Sequence, residues 1–356
     1  MQIGIPKEVK VQEGRVALIP AAAAEMVGHG HDVFVQSGAG LASGYNDADY
    51  EAVGVNVLKD AASLYSAATL IVKVKEPYGS DLEYLNRGHT VFSYLHLAAN
   101  IELMTTLRDI GLTAIAFETV EDDQGMLPLL APMSDIAGRI AVQTGMLLLH
   151  QPQGGKGILL GGLPAVERGN VVILGAGVAG GNAASVAAAL GANVTVFDRS
   201  RAKLAQMRAL GSNVTALYSF SDSIRQSVMQ ADLVIGAVLV TGARAPVLVD
   251  TETVKTMQAG SVIIDISVDQ GGCIETTRPT SYETPTFNWE GIVHYGVTNM
   301  PGAVPRSASQ ALSAALVPYV LKLANFGCDS TAELAAGINV RAGDIIHPAL
   351  KALSGI

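Results

Sequence analysis

Cysteine, aromatic residues and basic runs are scarce in this sequence, and each shortage excludes a class of protein. The 356 residues include two cysteines and one tryptophan, and only 5% are aromatic. Cys273 and Cys328 are too few for a disulfide framework and lack the spacing of a zinc site, so we expect a cytoplasmic protein without a bound metal. The formal net charge is −9, and no run of Lys or Arg offers a surface for phosphate backbones, which argues against nucleic acid as a partner.

Charged residues are also scarce, at 15%, and the mean hydropathy of +0.34 raises the alternative of a membrane protein. The longest uncharged stretch, residues 169–197, is long enough to cross a bilayer. It is interrupted by glycines and by Asn, Ser and Thr side chains, which would make a poor lipid-facing helix. Lys7 and Glu8 interrupt the first residues before an apolar signal-peptide segment can develop. We therefore expect neither a membrane span nor a membrane partner.

Glycine and small aliphatic residues are abundant instead. Glycine accounts for 38 of the 356 residues, and 49% of the chain is hydrophobic. Small apolar side chains let helices lie close to sheets, which favours layers of alternating strands and helices. Apolar runs that alternate with helix-like segments predict parallel βαβ units in two blocks, with strands at 2–5, 32–35, 69–75, 90–95 and 112–117 in the first block and at 170–174, 193–197, 233–238 and 261–266 in the second.

The sequence thus predicts an α/β protein with two Rossmann-like domains, each a parallel sheet flanked by helices, and an active-site cleft between them. An apolar helix over 307–326 is expected to return to the first block. The first domain is therefore predicted to be discontinuous, comprising residues 1–128 with 307–356. The second domain is predicted to span residues 129–306. The length agrees with two domains of ordinary size.

A glycine-rich turn in the second block carries the clearest functional signal. Residues 175–180 read Gly-Ala-Gly-Val-Ala-Gly, directly after a predicted strand and at the start of a predicted helix. In this context the pattern is typical of dinucleotide binding. Gly175 permits the tight turn, Gly177 lets the backbone approach a pyrophosphate, and Gly180 lets the helix pack closely on the strand. The N-terminus of that helix offers free N–H groups to the anion.

An acidic residue completes the dinucleotide pattern. Asp198 ends the next predicted strand, where its carboxylate can accept hydrogen bonds from the adenosine ribose hydroxyls. The same carboxylate would repel a 2′-phosphate, so NAD is the predicted cofactor. Arg199 and Arg201 follow directly and could hold that phosphate, which leaves the strictness of NAD over NADP open.

Polar residues that follow other predicted strands are the candidates for substrate chemistry, because open α/β sheets bind ligands at the carboxyl ends of their strands. Arg15 and His96 follow strands of the first block, Lys73 and Lys75 lie two apart at the end of the strand predicted over 69–75, and Asp269 follows a strand of the second block. Taken singly, each has an ordinary interpretation as a surface charge, a hydrogen-bonded loop histidine or a turn former. Together they offer cations for a carboxylate, an imidazole for acid–base work and a further carboxylate.

An ordered set of motifs along essentially the whole chain resembles the alanine dehydrogenase family. The opening motif is shared with the transhydrogenase α subunit and with saccharopine enzymes of the lysine pathway. The motifs that carry the resemblance are Gly-Ile-Pro-Lys-Glu at 4–8, Arg-Val-Ala-Leu at 15–18, Lys-Val-Lys-Glu-Pro at 73–77, Phe-Ser-Tyr-Leu-His-Leu at 92–97, Pro-Met-Ser at 132–134, Ala-Gly-Arg at 137–139, Asp-Gln-Gly-Gly at 269–272 and Asn-Met-Pro-Gly-Ala-Val-Pro at 299–305.

The resemblance implies an activity and a role for each matching residue. It implies reversible, NAD-dependent oxidative deamination of L-alanine to pyruvate and ammonium, by an oxidoreductase that works as a homohexamer. Arg15 and Lys75 would bind the substrate, His96 would be the general acid and base, and Asp269 would act in the ammonia or water step. The implied cofactor-binding residues are Ser134, Gly175, Gly177, Val178, Ala179, Gly180, Asp198, Lys203, Ser219, Val238, Leu239, Ile266, Ser267, Val268, Asp269, Asn299, Met300 and Pro301.

Two alternatives remain open at this point. One is a saccharopine-type dehydrogenase, which would consume NADH with 2-oxoglutarate and lysine. The other is a non-catalytic nucleotide-binding module similar to a detached transhydrogenase domain. Lys75, His96 and Asp269 argue against that module, because binding NAD requires none of them.

Overall fold

The structure is a computed structural model that describes residues 1–238 and 245–354. It divides the chain into two compact units. The first comprises Met1–Met133 with Gly302–Ile356, and the second comprises Ser134–Pro301. The first unit is discontinuous because helix Pro305–Phe326 packs against helix Pro20–Gly28 and the 3₁₀ turn Leu41–Ser43 in the N-terminal part of the chain.

Strands and helices alternate through most of the described residues. The strands in chain order are β1 (Gln2–Ile5), β2 (Asp32–Gln36), β3 (Asn56–Leu58), β4 (Leu70–Val72), β5 (Thr90–Ser93), β6 (Thr113–Ala116), β7 (Asn170–Leu174), β8 (Asn193–Asp198), β9 (Val214–Tyr218), β10 (Leu233–Gly236), β11 (Val262–Asp265), β12 (Thr286–Trp289), β13 (Ile292–Tyr295), β14 (Ile338–Arg341) and β15 (Asp344–Ile345).

The helices lie between these strands and on their faces. In chain order they are α1 (Pro20–Gly28), α2 (Asp47–Glu51), α3 (Ala61–Ala67), α4 (Asp81–Tyr84), α5 (Ile101–Ile110), α6 (Ala131–Leu148), α7 (Val178–Ala189), α8 (Arg201–Arg208), α9 (Ser221–Met229), α10 (Thr251–Lys255), α11 (Pro305–Phe326), α12 (Ala332–Ala336) and α13 (Pro348–Ser354). None of these helices is both long enough and apolar enough to span a membrane.

The first unit is built on a sheet with the order β15-β14-β6-β5-β4-β1-β2-β3 within the described residues. Strands β1 to β6 are all parallel, as the sequence predicts. The prediction of a wholly parallel sheet is incomplete at one edge, where β14 runs antiparallel to β6 and to β15. All three residues of β4 are buried, in keeping with a strand covered by helices on both faces.

The second unit carries a sheet with the order β12-β13-β11-β10-β7-β8-β9 in the part of the chain that is described. Its strands are parallel except β12, which forms an antiparallel pair with β13. In both sheets the chain adds strands on one side of the first strand and then on the other, which is the doubly wound Rossmann order. The predicted α/β class with two Rossmann-like domains is therefore confirmed.

Aliphatic side chains of modest size form the core of each unit. In the first unit Leu64, Ile71 and Leu107 belong to one buried cluster. In the second unit Val228 and Ile263 belong to a corresponding cluster. The abundance of small apolar residues in the composition thus corresponds to tightly layered helices and strands.

Candidate active site

Polar side chains of the first unit follow the carboxyl ends of its central strands. Arg15 follows β1, Lys75 follows β4, His96 follows β5 and Glu118 follows β6. The strand order reverses between β1 and β4, and the crevice at such a switch point is where open α/β sheets bind their ligands. The topology therefore brings the predicted substrate residues to one edge of one sheet.

Arg15 is buried, with 3% of its surface exposed, and is held by a carboxylate that the sequence analysis missed. Its Nε donates to Glu13 Oε1 at 2.6 Å, and a second guanidinium nitrogen donates to Glu13 Oε2 at 2.5 Å. Burial by itself disfavours both charges. The hydrogen bonds and the opposite charge outweigh burial, so the pKa of Arg15 is raised and the pKa of Glu13 is lowered. The pair is therefore ionised, and Glu13 fixes the orientation of the guanidinium.

Lys75 is partly buried close to this ion pair. Burial and the positive charge of Arg15 both disfavour its ammonium form, so the pKa of Lys75 lies below the usual value of 10.5. The backbone around it is fixed by Glu8, whose Oε1 accepts hydrogen bonds from Val74 N at 2.6 Å and from Lys75 N at 3.4 Å. The site thus holds a second cation on a fixed segment of backbone.

Lys73, the other candidate on the same strand, has a different environment. Its side chain is 1% exposed, and its Nζ lies 2.7 Å from Asp81 Oδ2 and 3.4 Å from Glu8 Oε2. Lys73 therefore neutralises two buried carboxylates and does not join the substrate candidates. Because Glu8 also holds the backbone of Lys75, this ion cluster supports the neighbouring site.

His96 has an exposed side chain on a strained turn. Its backbone lies in the left-handed region, with φ 49° and ψ 36°, which a residue with a Cβ rarely adopts. Glu118 holds this turn, because its Oε1 accepts from His96 N at 2.6 Å and its Oε2 lies 3.3 Å from Leu95 N. The Tyr94 ring stacks on the imidazole with an angle of 8° between the planes, and the Tyr94 hydroxyl donates to Leu129 O at 2.6 Å. The backbone of His96 is thus held by Glu118, and its imidazole is contacted by the Tyr94 ring.

Strain at a potential acid or base, on a turn held by a carboxylate, is a pattern found at functional sites. The sequence analysis missed both Glu13 and Glu118. A signal existed for Glu13, which lies two residues before Arg15. Glu118 lies 22 residues from His96, and only the pairing of β5 with β6 brings the two together.

The glycine-rich turn of the second unit has the predicted geometry. Gly175 follows β7 with a φ of +100°, and a Cβ there would lie 2.5 Å from Ala237 O. A Cβ on Gly180 would lie 1.9 Å from Gly175 O, so the first turn of α7 packs against the strand end only because no side chain intervenes. A Cβ on Gly177, the residue that precedes α7, would meet no atom of residues 1–238 and 245–354 within 4 Å. Of the three glycines, Gly177 is therefore the one with space beside it for a ligand, and it lies at the helix N-terminus.

Asp198 ends β8 beside this turn. Its Oδ2 accepts from Ala176 N at 2.7 Å, and its Oδ1 accepts from Ser200 N at 2.7 Å. A carboxylate has about four acceptor positions, so two backbone bonds leave capacity for two hydroxyl groups. The residues present thus fit the adenosine ribose of a dinucleotide.

The remaining predicted cofactor residues follow neighbouring strands or begin helices. Ser219 follows β9, Val238 follows β10, and Ile266, Ser267, Val268 and Asp269 follow β11, with Asp269 exposed on a 3₁₀ turn. Asn299, Met300 and Pro301 come after β13, Ser134 lies in the first turn of α6, and Val178, Ala179 and Lys203 lie in the first turns of α7 and α8. Leu239 lies outside the described residues. The carboxyl edge of the second sheet thus collects these positions from several strands.

The described residues contain no candidate metal site. No group of three or more His, Cys, Asp or Glu side chains there is arranged to hold a metal ion. Cys273 is buried and Cys328 is partly buried, and both are free thiols.

Known proteins resemble this chain over its whole length. The family model described as the N-terminal domain of alanine dehydrogenase/PNT matches residues 4–137, and the model for the C-terminal domain matches residues 141–348. A protein named alanine dehydrogenase from Halomonas elongata is 47% identical over 362 aligned residues, which cover 100% of this chain and 97% of the relative.

Two solved structures show the same arrangement of elements. A structure titled L-alanine dehydrogenase has a TM-score of 0.96 and 49% identity, and the match covers 100% of this chain and 99% of the other. A transhydrogenase from Sinorhizobium meliloti has a TM-score of 0.84 and 28% identity, with coverage of 98% and 100%. On these matches, the chain belongs to the alanine dehydrogenase/PNT family.

Proposed function

We propose that this protein is an NAD-dependent L-alanine dehydrogenase. The reaction is L-alanine with NAD⁺ and water giving pyruvate, ammonium, NADH and a proton, and it is reversible. The observation that carries the proposal is the full-length match to a structure titled L-alanine dehydrogenase, with 49% identity and a TM-score of 0.96. The discontinuous first unit is the proposed substrate domain, and the second unit is the proposed NAD domain.

In this proposal Arg15 and Lys75 bind the substrate through its charged and polar ends. Arg15 is oriented by Glu13 and offers its guanidinium to the carboxylate of alanine or pyruvate. Lys75 directs its ammonium toward the carbonyl oxygen, where it stabilises negative charge as water adds to the imine. Both cations lie on backbone held by carboxylates, so the small substrate is oriented by groups that do not have to move.

His96 and Asp269 are the proposed proton carriers. His96 removes a proton from the water that attacks the imine and returns one to the departing nitrogen, a task suited to an imidazole because its ring nitrogens can both accept and donate a proton. Glu118 holds the backbone of His96, and the Tyr94 ring stacks on the imidazole, so both limit its movement during this transfer. Asp269 is exposed at the cofactor edge of the second sheet and is proposed to bind the ammonia or water that enters or leaves.

The residues that would hold NAD are those at the carboxyl edge of the second sheet. NAD, when bound, supplies the hydride acceptor for the Cα–H bond of alanine. The helix α7 N-terminus with Gly177 would bind the pyrophosphate, and Asp198 would bind the ribose and disfavour a 2′-phosphate. The preference for NAD over NADP is part of the proposal.

The test is a nicotinamide-absorbance assay on the purified full chain. We expect NADH oxidation with pyruvate plus ammonium and almost none with pyruvate alone, and weaker activity with NADPH than with NADH. His96→Ala should reduce turnover by about 10²–10⁴-fold, the range for a general acid–base, while the dissociation constant for NADH changes little. A rate close to wild type in this variant would remove His96 from the mechanism.

The same assay separates the alternatives. The transhydrogenase match supports a second candidate, a nucleotide-binding module without turnover, and tight NADH binding with no activity on any amino acid would favour it. NADH consumption only with 2-oxoglutarate and lysine would favour a saccharopine-type enzyme. Consumption with pyruvate and ammonium excludes both.

The assembly and location are also proposals. We infer a homohexamer of 36.8 kDa chains from the family, and analytical ultracentrifugation of the full chain tests it, since a monomer or dimer at assay concentration would contradict it. A cytoplasmic location is proposed on the two unpaired thiols, and fractionation of cells that express the protein would test this.

A further inference from the structure

A fully buried carboxylate lies beneath the proposed cofactor edge and has no role in the reaction described so far. Asp265, the last residue of β11, has 0% of its surface exposed. No Lys or Arg within residues 1–238 and 245–354 forms an ion pair with it. A buried carboxylate without a cation must be satisfied by hydrogen bonds, since burial otherwise carries a large cost.

The two carboxylate oxygens of Asp265 bind the two ends of one loop. Oδ1 accepts from Ser267 N at 3.0 Å and from Ser267 Oγ at 2.9 Å. Oδ2 accepts from Cys273 N at 2.9 Å, from Ile274 N at 3.2 Å and from Thr277 Oγ1 at 3.0 Å. Asp265 therefore closes the base of residues 266–274, which we name the 266–274 loop.

The 266–274 loop contains residues already proposed to meet substrate or cofactor. Its tip is the 3₁₀ turn Val268–Gln270, where Asp269 is exposed. The tip is closed by hydrogen bonds from Gln270 N and Gly272 N to Ser267 O, at 2.9 Å and 3.0 Å. The C-terminal side of the tip is therefore bound to Ser267, which Asp265 holds.

The surroundings of Asp265 leave no space for a different arrangement. A Cβ on Gly236, in the neighbouring strand β10, would lie 2.8 Å from Asp265 Oδ1 and 2.6 Å from Cys273 Sγ. Three backbone N–H groups and the Ser267 hydroxyl donate to this fully buried carboxylate, the Thr277 hydroxyl and the Cys273 thiol also contact it, and burial raises its pKa against the effect of the donors. These donors come from both ends of the 266–274 loop, so Asp265 joins the loop ends in addition to ending β11.

We propose that Asp265 is a positioning residue, which holds the 266–274 loop in the shape that presents Asp269 and the loop backbone to substrate and cofactor. This inference rests on the proposed dehydrogenase function. A carboxylate is required because backbone N–H groups donate to both of its oxygens, Ser267 N to Oδ1 and Cys273 N to Oδ2. In an asparagine, one oxygen is replaced by an NH₂ group, and in either orientation that group faces a backbone N–H.

Asp265→Asn in the full chain tests the proposal against a matched control. Asp232 is a second carboxylate of the same sheet, next to the amino end of β10, where it accepts from Asn170 N at 2.8 Å and pairs with Lys156 at 2.6 Å. Asp232→Asn removes a similar carboxylate and leaves the 266–274 loop untouched. Both variants are compared with wild type by amide hydrogen exchange, by steady-state kinetics with pyruvate and ammonium, and by quenching of NADH fluorescence.

We expect exchange to accelerate at Ser267, Cys273 and Ile274 in Asp265→Asn and not in Asp232→Asn. We expect kcat to fall about 100-fold in Asp265→Asn, the size of loss that follows a 1 Å misplacement, and NADH binding to weaken. The KM for pyruvate should change little, because Arg15 and Lys75 lie in the first unit. If Asp265 only stabilised the fold, Asp265→Asn would lower the melting temperature, but it would not lower kcat while leaving the KM for pyruvate unchanged.

Wild-type exchange in the loop, or wild-type kcat, would overturn the proposal. If Asp265→Asn does not fold, Thr277→Val takes its place, because it removes one hydroxyl donor to Oδ2 and keeps the side-chain shape. That variant should show faster exchange at Cys273 and Ile274 and a smaller loss of kcat, and wild-type values in both would overturn the proposal. If wild type itself consumes no NADH with pyruvate and ammonium, the proposed function fails, and exchange with and without NADH still decides whether Asp265 holds the loop.

Discussion

Lys73→Met removes the cation from the buried cluster of Glu8, Lys73 and Asp81 and leaves two carboxylates without a partner. The Lys73 side chain is 1% exposed, and its Nζ lies 2.7 Å from Asp81 and 3.4 Å from Glu8. Breaking a buried pair by removing one partner costs about 3–5 kcal/mol. We expect a loss of free energy of unfolding in that range near neutral pH. The control is Lys59→Met, since the Lys59–Asp60 pair is exposed to solvent and its loss should change the free energy of unfolding little.

The loss in Lys73→Met should depend on pH in a direction that follows from Glu8. Burial already raises the pKa of Glu8 above its ordinary 4.5, although Lys73 opposes this. A carboxyl whose folded pKa exceeds its unfolded value stabilises the fold below the unfolded value, and this contribution is lost as the pH rises through the folded pKa. Without Lys73 the folded variant takes up an additional proton, so its stability should fall by about 1.4 kcal/mol per pH unit above the ordinary pKa.

Urea unfolding followed by circular dichroism at pH 5 and pH 8 measures this effect. The wild type keeps the Lys73 contribution at both values, because Glu8 and Asp81 outweigh burial and raise the pKa of Lys73 above 10.5. Lys73→Met should therefore differ from wild type by more at pH 8 than at pH 5. It should also raise the KM for pyruvate, since Glu8 holds the backbone of Lys75. A loss no larger than that of Lys59→Met, or one equal at both pH values, would refute this reasoning.

Three further predictions concern the two sites. Glu118→Ala should lower kcat about 10- to 100-fold, because two backbone N–H groups lose charge-assisted bonds of about 1.5–3 kcal/mol each, and Glu118→Gln, which keeps one acceptor, should retain more activity in the same assay. Gly180→Ala should lower both the melting temperature and the NADH affinity, since its Cβ would lie 1.9 Å from the Gly175 carbonyl oxygen. Gly177→Ala should weaken NADH binding without lowering the melting temperature. An equal loss of melting temperature in the two variants would contradict the packing argument. Asp198→Ala should weaken NADH binding and bring the NADPH constant closer to it by fluorescence titration, while unchanged NADH affinity would remove the ribose assignment.

Local patterns predicted the central elements of the fold well. The strand over 170–174 matches β7, and the expected strand over 2–5 matches β1. These strands are buried on both faces and read as short apolar runs between turn residues, so their neighbours in the sequence mark them. The edge strands β12 and β15 and the adjacent strand β14 were missed, because strands at or near an edge take their pattern from the neighbours they pair with and not from their own composition.

The candidate site was likewise predicted only in part from the sequence. Arg15, Lys75 and His96 could be selected from the sequence because each ends or follows a predicted strand. Their supporting carboxylates could not, since Glu118 reaches His96 across two adjacent strands and Glu8 reaches Val74 across 66 residues. Lys73 and Lys75 have the same local pattern, so the resemblance and not the pattern selected Lys75, and the fold then placed Lys73 in a buried ion cluster.

By itself, the sequence determined the α/β class and the glycine turn with Asp198 beside it, and it selected the candidate side chains for the chemistry. These properties depend on residue types and short spacings, which periodicity and turn chemistry express directly. Only the tertiary structure decided that Lys73 is neutralised in a buried cluster, that Glu13 orients Arg15, and that Asp265 holds both ends of the 266–274 loop. Burial and hydrogen bonding between distant residues set the charge and orientation of these groups, and neither is encoded in any local stretch of the chain.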